Sequence, residues 1–336
     1  MLRSWVLSVV LLFGSTSLVG QTNIFGAGST FVSPIMSKWA EQYHKIHPDI
    51  QISYLANGSG AGIGLTLTGM IDFGGTDAPA TDAQLAQAAV KVSHFPVILG
   101  ADVPAYNLPE VQTQLRFTGQ VLADIFLGKI KNWDNPAIAA NNPGVRLPDR
   151  QIMVVHRQDG SGTTYIWADY LSKVSPEWKR AVGKGTSLKW PVGNGFYGNE
   201  GVSEEIRKSP GTLGYIELSY AEKKKIAFGS VQNADGAFIS ASISGIEEAA
   251  SSLKEIPADF RVSISNAPGR SAYPIASFSW ILIPNHPKDP NRRKIVMDFL
   301  TWAITDGQRF AEDLYYAPLP SDLTSKINSV MIAKAK

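Results

Sequence analysis

A short polar segment, residues 157–163 (RQDGSGT), carries the densest set of groups able to bind an anion. It follows the apolar run 152–155 and precedes the apolar-periodic run 165–171, so we predict that it joins a strand to a helix. The first N–H groups of a helix have no intrahelical acceptor, and the helix dipole adds partial positive charge there. The segment therefore predicts an oxyanion site, although a capped helix after a tight turn would use the same residue types.

Three side chains strengthen the interpretation of this segment as an anion site. The hydroxyls of Ser161 and Thr163 add hydrogen-bond donors. The planar guanidinium of Arg157 suits a tetrahedral oxyanion. Asp159 lies two residues away and is predicted to hold Arg157 in position.

Three further turns have related chemistry, namely residues 26–31 (GAGSTF), 57–64 (NGSGAGIG) and 71–79 (IDFGGTDAP). The first two follow strand-like runs, and the third begins with one. Their glycines let the backbone approach a ligand closely. Residues 57–64 do not fit the dinucleotide fingerprint, and they lack the Gly-Lys-Ser/Thr ending of a P-loop. Asp77 lies in the third of these turns, at the position where the other turns carry hydrogen-bond donors. A simple anion site would not need a carboxylate there.

Strands alternate with helices along the chain, which predicts α/β layers with largely parallel sheets. In such sheets ligands bind where strands end and helices begin, and all four turns lie at such junctions. A helix is expected from about 34 to 47. An apolar strand is predicted at 94–99, and residues 101–107, which continue extended, are predicted to cross between two lobes. Helices are expected at 292–303 and 310–316.

Composition bounds the possibilities further. The 336 residues are 44% hydrophobic and 18% charged with a net charge of +2, as in an ordinary globular protein with no strong field for nucleic acid or lipid. The basic and aromatic segment 129–134 is accordingly interpreted as a solvated surface. The absence of cysteine excludes disulfides, thiolate metal sites and a cysteine nucleophile.

The N-terminus has the pattern of a secretion signal. Arg3 precedes the apolar core 5–13, which is too short to span a bilayer, and small residues follow. We expect cleavage between Leu18 and Gln21, so residues 1–20 are predicted to be a signal peptide. The mature chain is expected to be a periplasmic protein without a membrane anchor.

Taken in order, these motifs resemble the periplasmic phosphate-binding proteins of high-affinity phosphate ABC transporters. The likeness runs from about residue 23 to about residue 320. The segments that carry it are 26–31, Gly58-Ser59, 72–79 and 157–163, joined by 127–133 (LGKIKNW), 189–193 (KWPVG) and 210–215 (PGTLGY). Each motif alone is short, but the ordered set is specific.

The resemblance implies a two-lobed type II periplasmic binding protein of the α/β class, with a mostly parallel sheet in each lobe and a ligand cleft between them. The first lobe would comprise residues 21–102 and 275–336, and the second lobe residues 103–274. The implied phosphate-binding residues are Thr30, Phe31, Ser59, Asp77, Arg157, Ser161, Gly162 and Thr163, with Asp159 orienting Arg157. No catalytic residue, metal or cofactor is implied. The implied partners are inorganic phosphate and the permease and ATPase subunits of the transporter, and the chain is expected to be a monomer that binds no nucleic acid and does not insert into the membrane.

In this scheme Asp77 accounts for selectivity. Phosphate at neutral pH still carries an O–H that can donate to an ionised carboxylate, whereas sulfate has none. A buried site built to receive a donor can reject an analogue without one by about 10⁴–10⁵-fold. The structural alternative for Asp77 is a helix-capping aspartate.

Three other functions are alternatives to phosphate binding. One is a binding protein for another oxyanion, such as sulfate or molybdate, or for an organic ligand; Asp77 argues against fully ionised anions. Another is a secreted phosphoester hydrolase, but Ser161 lacks the Gly-x-Ser-x-Gly context, and His44 and His47 have no evident third metal ligand. The third is an adhesive or scaffold protein, which would not need four donor-rich turns.

Overall fold

The computed structural model describes residues 21–285 and 289–335. The predicted signal peptide, residues 1–20, lies outside the described residues and stays a prediction. In the described part of the chain, strands and helices alternate as the sequence pattern indicates.

The strands are β1 (Thr22–Gly28), β2 (Ile50–Ala56), β3 (Phe73–Thr76), β4 (Val92–Tyr106), β5 (Arg116–Phe117), β6 (Met153–Arg157), β7 (Asn194–Phe196), β8 (Thr212–Glu217), β9 (Ala227–Phe228), β10 (Ser230–Gln232), β11 (Phe238–Ile239) and β12 (Ala276–Pro284). The helices are α1 (Ser33–Ile46), α2 (Ser59–Leu67), α3 (Asp82–Ala86), α4 (Gly119–Phe126), α5 (Pro136–Ala139), α6 (Gly162–Val174), α7 (Pro176–Ala181), α8 (Gly198–Lys208), α9 (Leu218–Lys224), α10 (Ile243–Ser251), α11 (Pro290–Ile304) and α12 (Ser321–Ala335). Two 3₁₀ helices span Asp306–Phe310 and Glu312–Leu314.

One long sheet runs through the molecule in the order β2-β1-β3-β12-β4-β8-β6-β7, with β9 added beside β4. The triplets β2-β1-β3 and β8-β6-β7 are parallel, as predicted. β12 and β4 run antiparallel to their neighbours and lie between the triplets. A smaller sheet, β11-β10-β5, stands apart.

The two triplets are the centres of two lobes. Helices α1 and α2 pack on the first triplet, and α6 and α8 pack on the second. β4 serves both lobes, because its residues 92–101 pair with β12 and its residues 102–106 pair with β8. This strand confirms the predicted extended crossing. The residue boundaries predicted for the lobes stay predictions.

Helix α1 shows how the sequence pattern becomes packing. Its buried face comprises Ile35, Met36, Trp39, Ala40 and Tyr43, at helical spacing, and Pro34 lies in its first turn, where a missing N–H costs nothing. Burying such aromatic and aliphatic side chains contributes roughly 1.5–3 kcal/mol each, which secures the turn that precedes the helix.

One sequence-based prediction is wrong and another holds only in part. The predicted helix at 310–316 is replaced by 3₁₀ turns, because Tyr315 is left-handed (φ 64°) and Ala317 exchanges two backbone hydrogen bonds with Leu99 of β4. In segment 129–134 the polar side chains of Lys129, Lys131, Asn132 and Asp134 are exposed as predicted, but the aromatic residue is not. Trp133 is fully buried and its indole N–H donates to the carbonyl of Gly211 at 3.0 Å.

Candidate functional site

The four polar turns meet at one place, because each of them connects a strand end to a helix start at the same edge of the sheet. Backbone hydrogen bonds join them: Gly58 N–H to Gly28 O at 2.7 Å, Ser29 N–H to Gly75 O at 2.9 Å and Gly60 N–H to Gly160 O at 2.8 Å. The last of these bonds links the turn before α2 to the turn before α6, and thus one lobe to the other.

Glycine is required where the two lobes touch. A Cβ atom placed on Gly162, at the start of α6, would lie 2.5 Å from both the Asp77 Oδ2 and the Ser59 Oγ atoms. Any side chain at position 162 would therefore displace Asp77 and Ser59 or move the two lobes apart. The backbone of Gly162 is consequently held directly against the polar groups of the first lobe.

Arg157 supplies a buried cation with a fixed orientation. Its side chain is 1% exposed, and its guanidinium binds Asp159 in a bidentate manner, with Nε to Oδ1 at 2.8 Å and Nη2 to Oδ2 at 2.5 Å. Nη1 donates to the Thr163 hydroxyl at 3.1 Å. Burial opposes ionisation of Asp159, yet the hydrogen bonds and charge of Arg157 bring the pKa of that carboxyl below its usual value. The expected role of Asp159 in orienting Arg157 matches this geometry.

Asp77 is a buried carboxylate surrounded by hydroxyl donors. Its Oδ2 accepts from Ser29 at 2.5 Å and from Ser59 at 3.3 Å, and its Oδ1 accepts from Ser279 at 2.6 Å. Burial raises the pKa of Asp77 to about 6, opposed by these three hydroxyls and by the charge of Arg157. The group is therefore mainly ionised at pH 7.

Asp77 does not cap the following helix. That position belongs to Thr81, whose hydroxyl accepts from the Gln84 N–H while the Gln84 side chain accepts from Thr81 N–H. This capping box satisfies the start of α3 without Asp77. Asp77 is therefore not the N-cap of α3, and its carboxylate hydrogen-bonds within the polar cluster instead.

Helix α6 presents its N-terminus to the same cluster. The Ser161 hydroxyl caps the helix by accepting from Thr164 N–H at 3.0 Å, and the Ser161 N–H donates to Thr186 O at 2.7 Å. The amides of Gly162 and Thr163 occupy the first two helical positions, where no intrahelical acceptor exists. They are the backbone donors that this terminus can offer to an anion.

Thr30 and Phe31, the remaining predicted site residues, lie just before the start of α1. The Phe31 N–H donates to the Ser29 hydroxyl at 3.0 Å, and its ring is buried in the core. The Thr30 hydroxyl oxygen accepts from Asn199 Nδ2 at 3.0 Å. The structure therefore brings all of the predicted site residues to one buried cluster.

Sequence reasoning missed several members of this cluster. Asn199 contacts both Thr30 and Thr163, Ser279 binds Asp77, and the Tyr220 hydroxyl donates to Thr30 O at 2.8 Å. Ser279 had a detectable signal, since it is a polar residue inside the apolar strand β12. Asn199 and Tyr220 come from a different part of the chain, and no local pattern marks them.

Within residues 21–285 and 289–335, no group of three or more His, Asp or Glu side chains is arranged to hold a metal ion. Over the same described residues, no helix has both the length and the apolar character that a membrane crossing requires.

Comparison with known proteins places this arrangement in a family. A family model for the PBP superfamily domain matches residues 14–307. The chain is similar to the phosphate-binding protein PstS of Pasteurella multocida, with 43% identity over 324 residues that cover 96% of this chain and 93% of that protein. It is also similar to PstS of Xylella fastidiosa, with 42% identity over 315 residues that cover 93% of this chain and 86% of that protein.

A solved structure supports the architecture. The fold is similar to a putative phosphate ABC transporter substrate-binding protein with bound phosphate from Clostridium perfringens, with a TM-score of 0.64 and 20% identity, covering 89% of this chain and 100% of that one. At this identity the likeness concerns the fold, and it confirms the predicted two-lobed α/β architecture. Together with the relatives, it confirms the resemblance found in the motifs: the chain belongs to the PBP superfamily and, within it, to the PstS phosphate-binding proteins.

Proposed function

We propose that this protein binds inorganic phosphate between its lobes and delivers it to the permease of a phosphate ABC transporter. It does so in the periplasm, as a monomer. The observation that carries the proposal is the joint burial of Arg157, a fixed cation, and Asp77, an ionised acceptor, in one cluster of hydroxyls and helix-terminal amides. Membership of the PstS family supports the same ligand.

Binding phosphate in a buried site requires free energy to remove the anion from water, and the hydrogen-bond donors of the site must offset that cost. That cost greatly exceeds the return from any single contact, so several donors must act together. Charge-assisted hydrogen bonds contribute roughly 1.5–3 kcal/mol each. The proposed donors are the Arg157 guanidinium, the amides of Thr30, Phe31, Gly162 and Thr163, and the hydroxyls of Thr30, Ser59, Ser161 and Thr163. The Phe31 N–H and the Ser59 hydroxyl, which here donate to Ser29 and Asp77, would turn to the anion on binding.

Asp77 gives the site its selectivity. Phosphate donates its remaining O–H to this carboxylate, whereas sulfate would place an unprotonated oxygen against it. Because Ser29 and Ser279 already bind the carboxylate, its position is fixed before the anion arrives. A rigid acceptor of this kind penalises sulfate more than a mobile one, since it cannot turn away.

The proposed role is binding without turnover. The relatives are named as binding proteins, and the Ser161 hydroxyl is engaged as the cap of α6. The nearby His156 stacks on Trp190, and its Nδ1 lies 3.0 Å from the Arg157 carbonyl. Among the described residues, His156 is thus held away from Ser161 and does not form the nucleophile–base pair of a hydrolase with it.

Calorimetric titration of ligand-stripped protein tests the proposal. We expect tight binding of phosphate with one anion per chain, and the same affinity in the presence of excess sulfate. Absence of phosphate binding would overturn the proposed function, and release of phosphate from a phosphoester would favour the hydrolase instead. Stimulation of the transporter's ATPase activity by the phosphate-loaded protein tests the delivery step.

A further inference from the structure

Asn199 is a buried amide that connects the two sides of the cleft. It lies in the first turn of α8 and is fully buried. Its side chain contacts the Thr30 hydroxyl, which follows β1, and the Thr163 hydroxyl, which begins α6. These two threonines belong to opposite lobes and are both members of the proposed phosphate site.

The orientation of the Asn199 amide is determined by its third contact. The backbone N–H of Glu217 donates to Oδ1 of Asn199 at 3.0 Å, and a backbone N–H can only donate. Nδ2 must therefore be the atom that faces the threonines. It donates to Thr30 Oγ1 and to Thr163 Oγ1, at 3.0 Å in each case.

Each threonine oxygen receives a second donor. The backbone N–H of Asn199 also donates to Thr30 Oγ1, at 3.2 Å. The Arg157 Nη1 atom donates to Thr163 Oγ1 at 3.1 Å. A hydroxyl oxygen has two acceptor lone pairs and one proton, so both oxygens have used their accepting capacity. What remains to each threonine is an O–H that can only donate.

We propose that Asn199 is a positioning residue that turns the hydroxyls of Thr30 and Thr163 into obligate donors towards a tetrahedral oxyanion. The inference rests on the proposed function and adds the mechanism by which the site selects an anion with free lone pairs. Without Asn199 each hydroxyl could rotate and present a lone pair to the ligand, which would repel it. With Asn199 in place both protons are available before the anion binds, and less order has to be gained on binding.

The sharpest test replaces the donor by an acceptor of the same shape. In Asn199→Asp, one carboxylate oxygen still accepts from Glu217 N–H, and the other accepts from the two threonine hydroxyls. Both hydroxyl protons then point away from the ligand. We expect phosphate affinity, measured by calorimetry, to fall by at least about a hundredfold, since two hydrogen bonds to a charged group are lost. Asn194→Asp, an exposed site on β7, adds the same charge and should change affinity by less than about threefold.

A coupling measurement separates hydroxyl orientation from simple repulsion or structural damage. In a Thr30→Val, Thr163→Val background there are no hydroxyls to orient, whereas repulsion by a new carboxylate persists. The fold loss of phosphate affinity caused by Asn199→Asp should therefore be at least about tenfold smaller in that background than in the wild-type background. Asn199→Ala, which introduces no charge, should weaken binding by about three- to tenfold in the wild-type background and have no further effect in the valine background.

The outcomes distinguish the two claims. Suppose that the wild-type protein binds phosphate, but that Asn199→Asp and Asn199→Ala each reduce phosphate affinity by the same factor with and without the threonine hydroxyls. The orienting role of Asn199 is then overturned, and the proposed function stands. If the wild-type protein does not bind phosphate, both fail. Thermal unfolding of each variant shows whether it is folded. If Asn199→Asp is not folded, the Asn199→Ala comparison decides the question; if the double-valine background is not folded, the same comparison is made in Thr30→Val and in Thr163→Val singly.

Discussion

Asp77 and Asp102 are two buried aspartates that differ in their hydrogen-bond partners and, as a result, in their charge at neutral pH. Asp77 lies in the polar cluster and Asp102 lies where β4 leaves β12 and begins to pair with β8, a place we term the crossover point. Both are buried, at 1% and 0% exposure. Asp77 accepts from three serine hydroxyls, whereas neither carboxylate oxygen of Asp102 has a hydrogen-bond partner among the described residues.

The difference in partners produces a difference in charge at neutral pH. Burial raises both pKa values. Hydroxyl donors limit the rise for Asp77 to about 6, whereas Asp102, repelled by Asp77 and Glu217, has a pKa well above its ordinary value. Glu217 is the partner of Asp102 in the β4–β8 register, and burial raises its pKa to about 8. Equal burial thus leaves an ionised acceptor in the site and neutral acids at the crossover point.

The largest expected effect on phosphate affinity comes from removing Arg157, the cation whose charge lowers the pKa of both Asp77 and Asp102. Arg157→Met keeps most of the side-chain volume and removes the charge, so the anion loses its cation and Asp159 loses its partner. Truncating one partner of a buried, hydrogen-bonded charge pair at a binding site costs about 2–5 kcal/mol of binding free energy. We therefore expect phosphate affinity, measured by calorimetry, to fall by about a thousandfold. Arg207→Met, at an exposed ion pair with Glu204, is the matched control and should leave affinity unchanged. A loss of less than tenfold at Arg157 would contradict the central place given to this cation.

A smaller effect follows from the titration of Asp77. With a pKa of about 6, its protonated fraction rises about tenfold between pH 7 and pH 5. A protonated Asp77 can donate to sulfate, so sulfate should compete with phosphate about tenfold more strongly at pH 5 than at pH 7. Competition assays over this range measure the effect. Sulfate exclusion that does not change with pH would show that Asp77 does not sense the ligand's proton.

Substitution of Glu217, at the crossover point, should change the pH dependence of the free energy of unfolding and leave phosphate affinity unchanged. Because the folded-state pKa of Glu217 lies above its ordinary value, the stabilisation by its neutral form is complete below about pH 4.5 and is lost as the pH rises through about 8. In Glu217→Gln this loss is absent. We expect the free energy of unfolding of the wild type, relative to the variant, to decline across pH 4.5–8 by at most roughly 1.4 kcal/mol per pH unit.

Urea unfolding of both proteins at several pH values measures this decline. Glu247→Gln, at an exposed position of α10, is the control and should run parallel to the wild type. A constant difference between wild type and Glu217→Gln across the range would contradict the assignment of Glu217 as a neutral buried acid.

The contrast between these regions also shows what sequence can reveal. The four turns were predictable because strand, glycine-rich turn and helix start are local patterns, and Arg157 and Asp77 lie inside them. Asp102 is a single acid within the extended run 101–107, and nothing local indicates that it is buried without a hydrogen-bond partner among the described residues. Asn199 was missed for the same reason, since its contacts join residues that are 169 and 36 positions away.

Errors in the fold prediction have a related origin. Trp133 looked exposed because charged residues flank it, yet tertiary packing buries its ring and supplies a carbonyl for its N–H. Residues 310–316 have helical spacing, but the pairing of Ala317 with Leu99 interrupts the helix. In both cases a contact between distant segments outweighs the local preference.

The most direct test of the account is to make the same substitution at both aspartates and measure sulfate competition against phosphate binding. Asp77→Asn removes the acceptor that recognises the phosphate proton, so the discrimination against sulfate, expected at about 10⁴–10⁵-fold for such a site, should collapse. Asp102→Asn replaces a neutral acid by a neutral amide and should preserve that discrimination. Retention of sulfate exclusion in Asp77→Asn, or its loss in Asp102→Asn, would contradict the assignment of Asp77 as the group that selects phosphate.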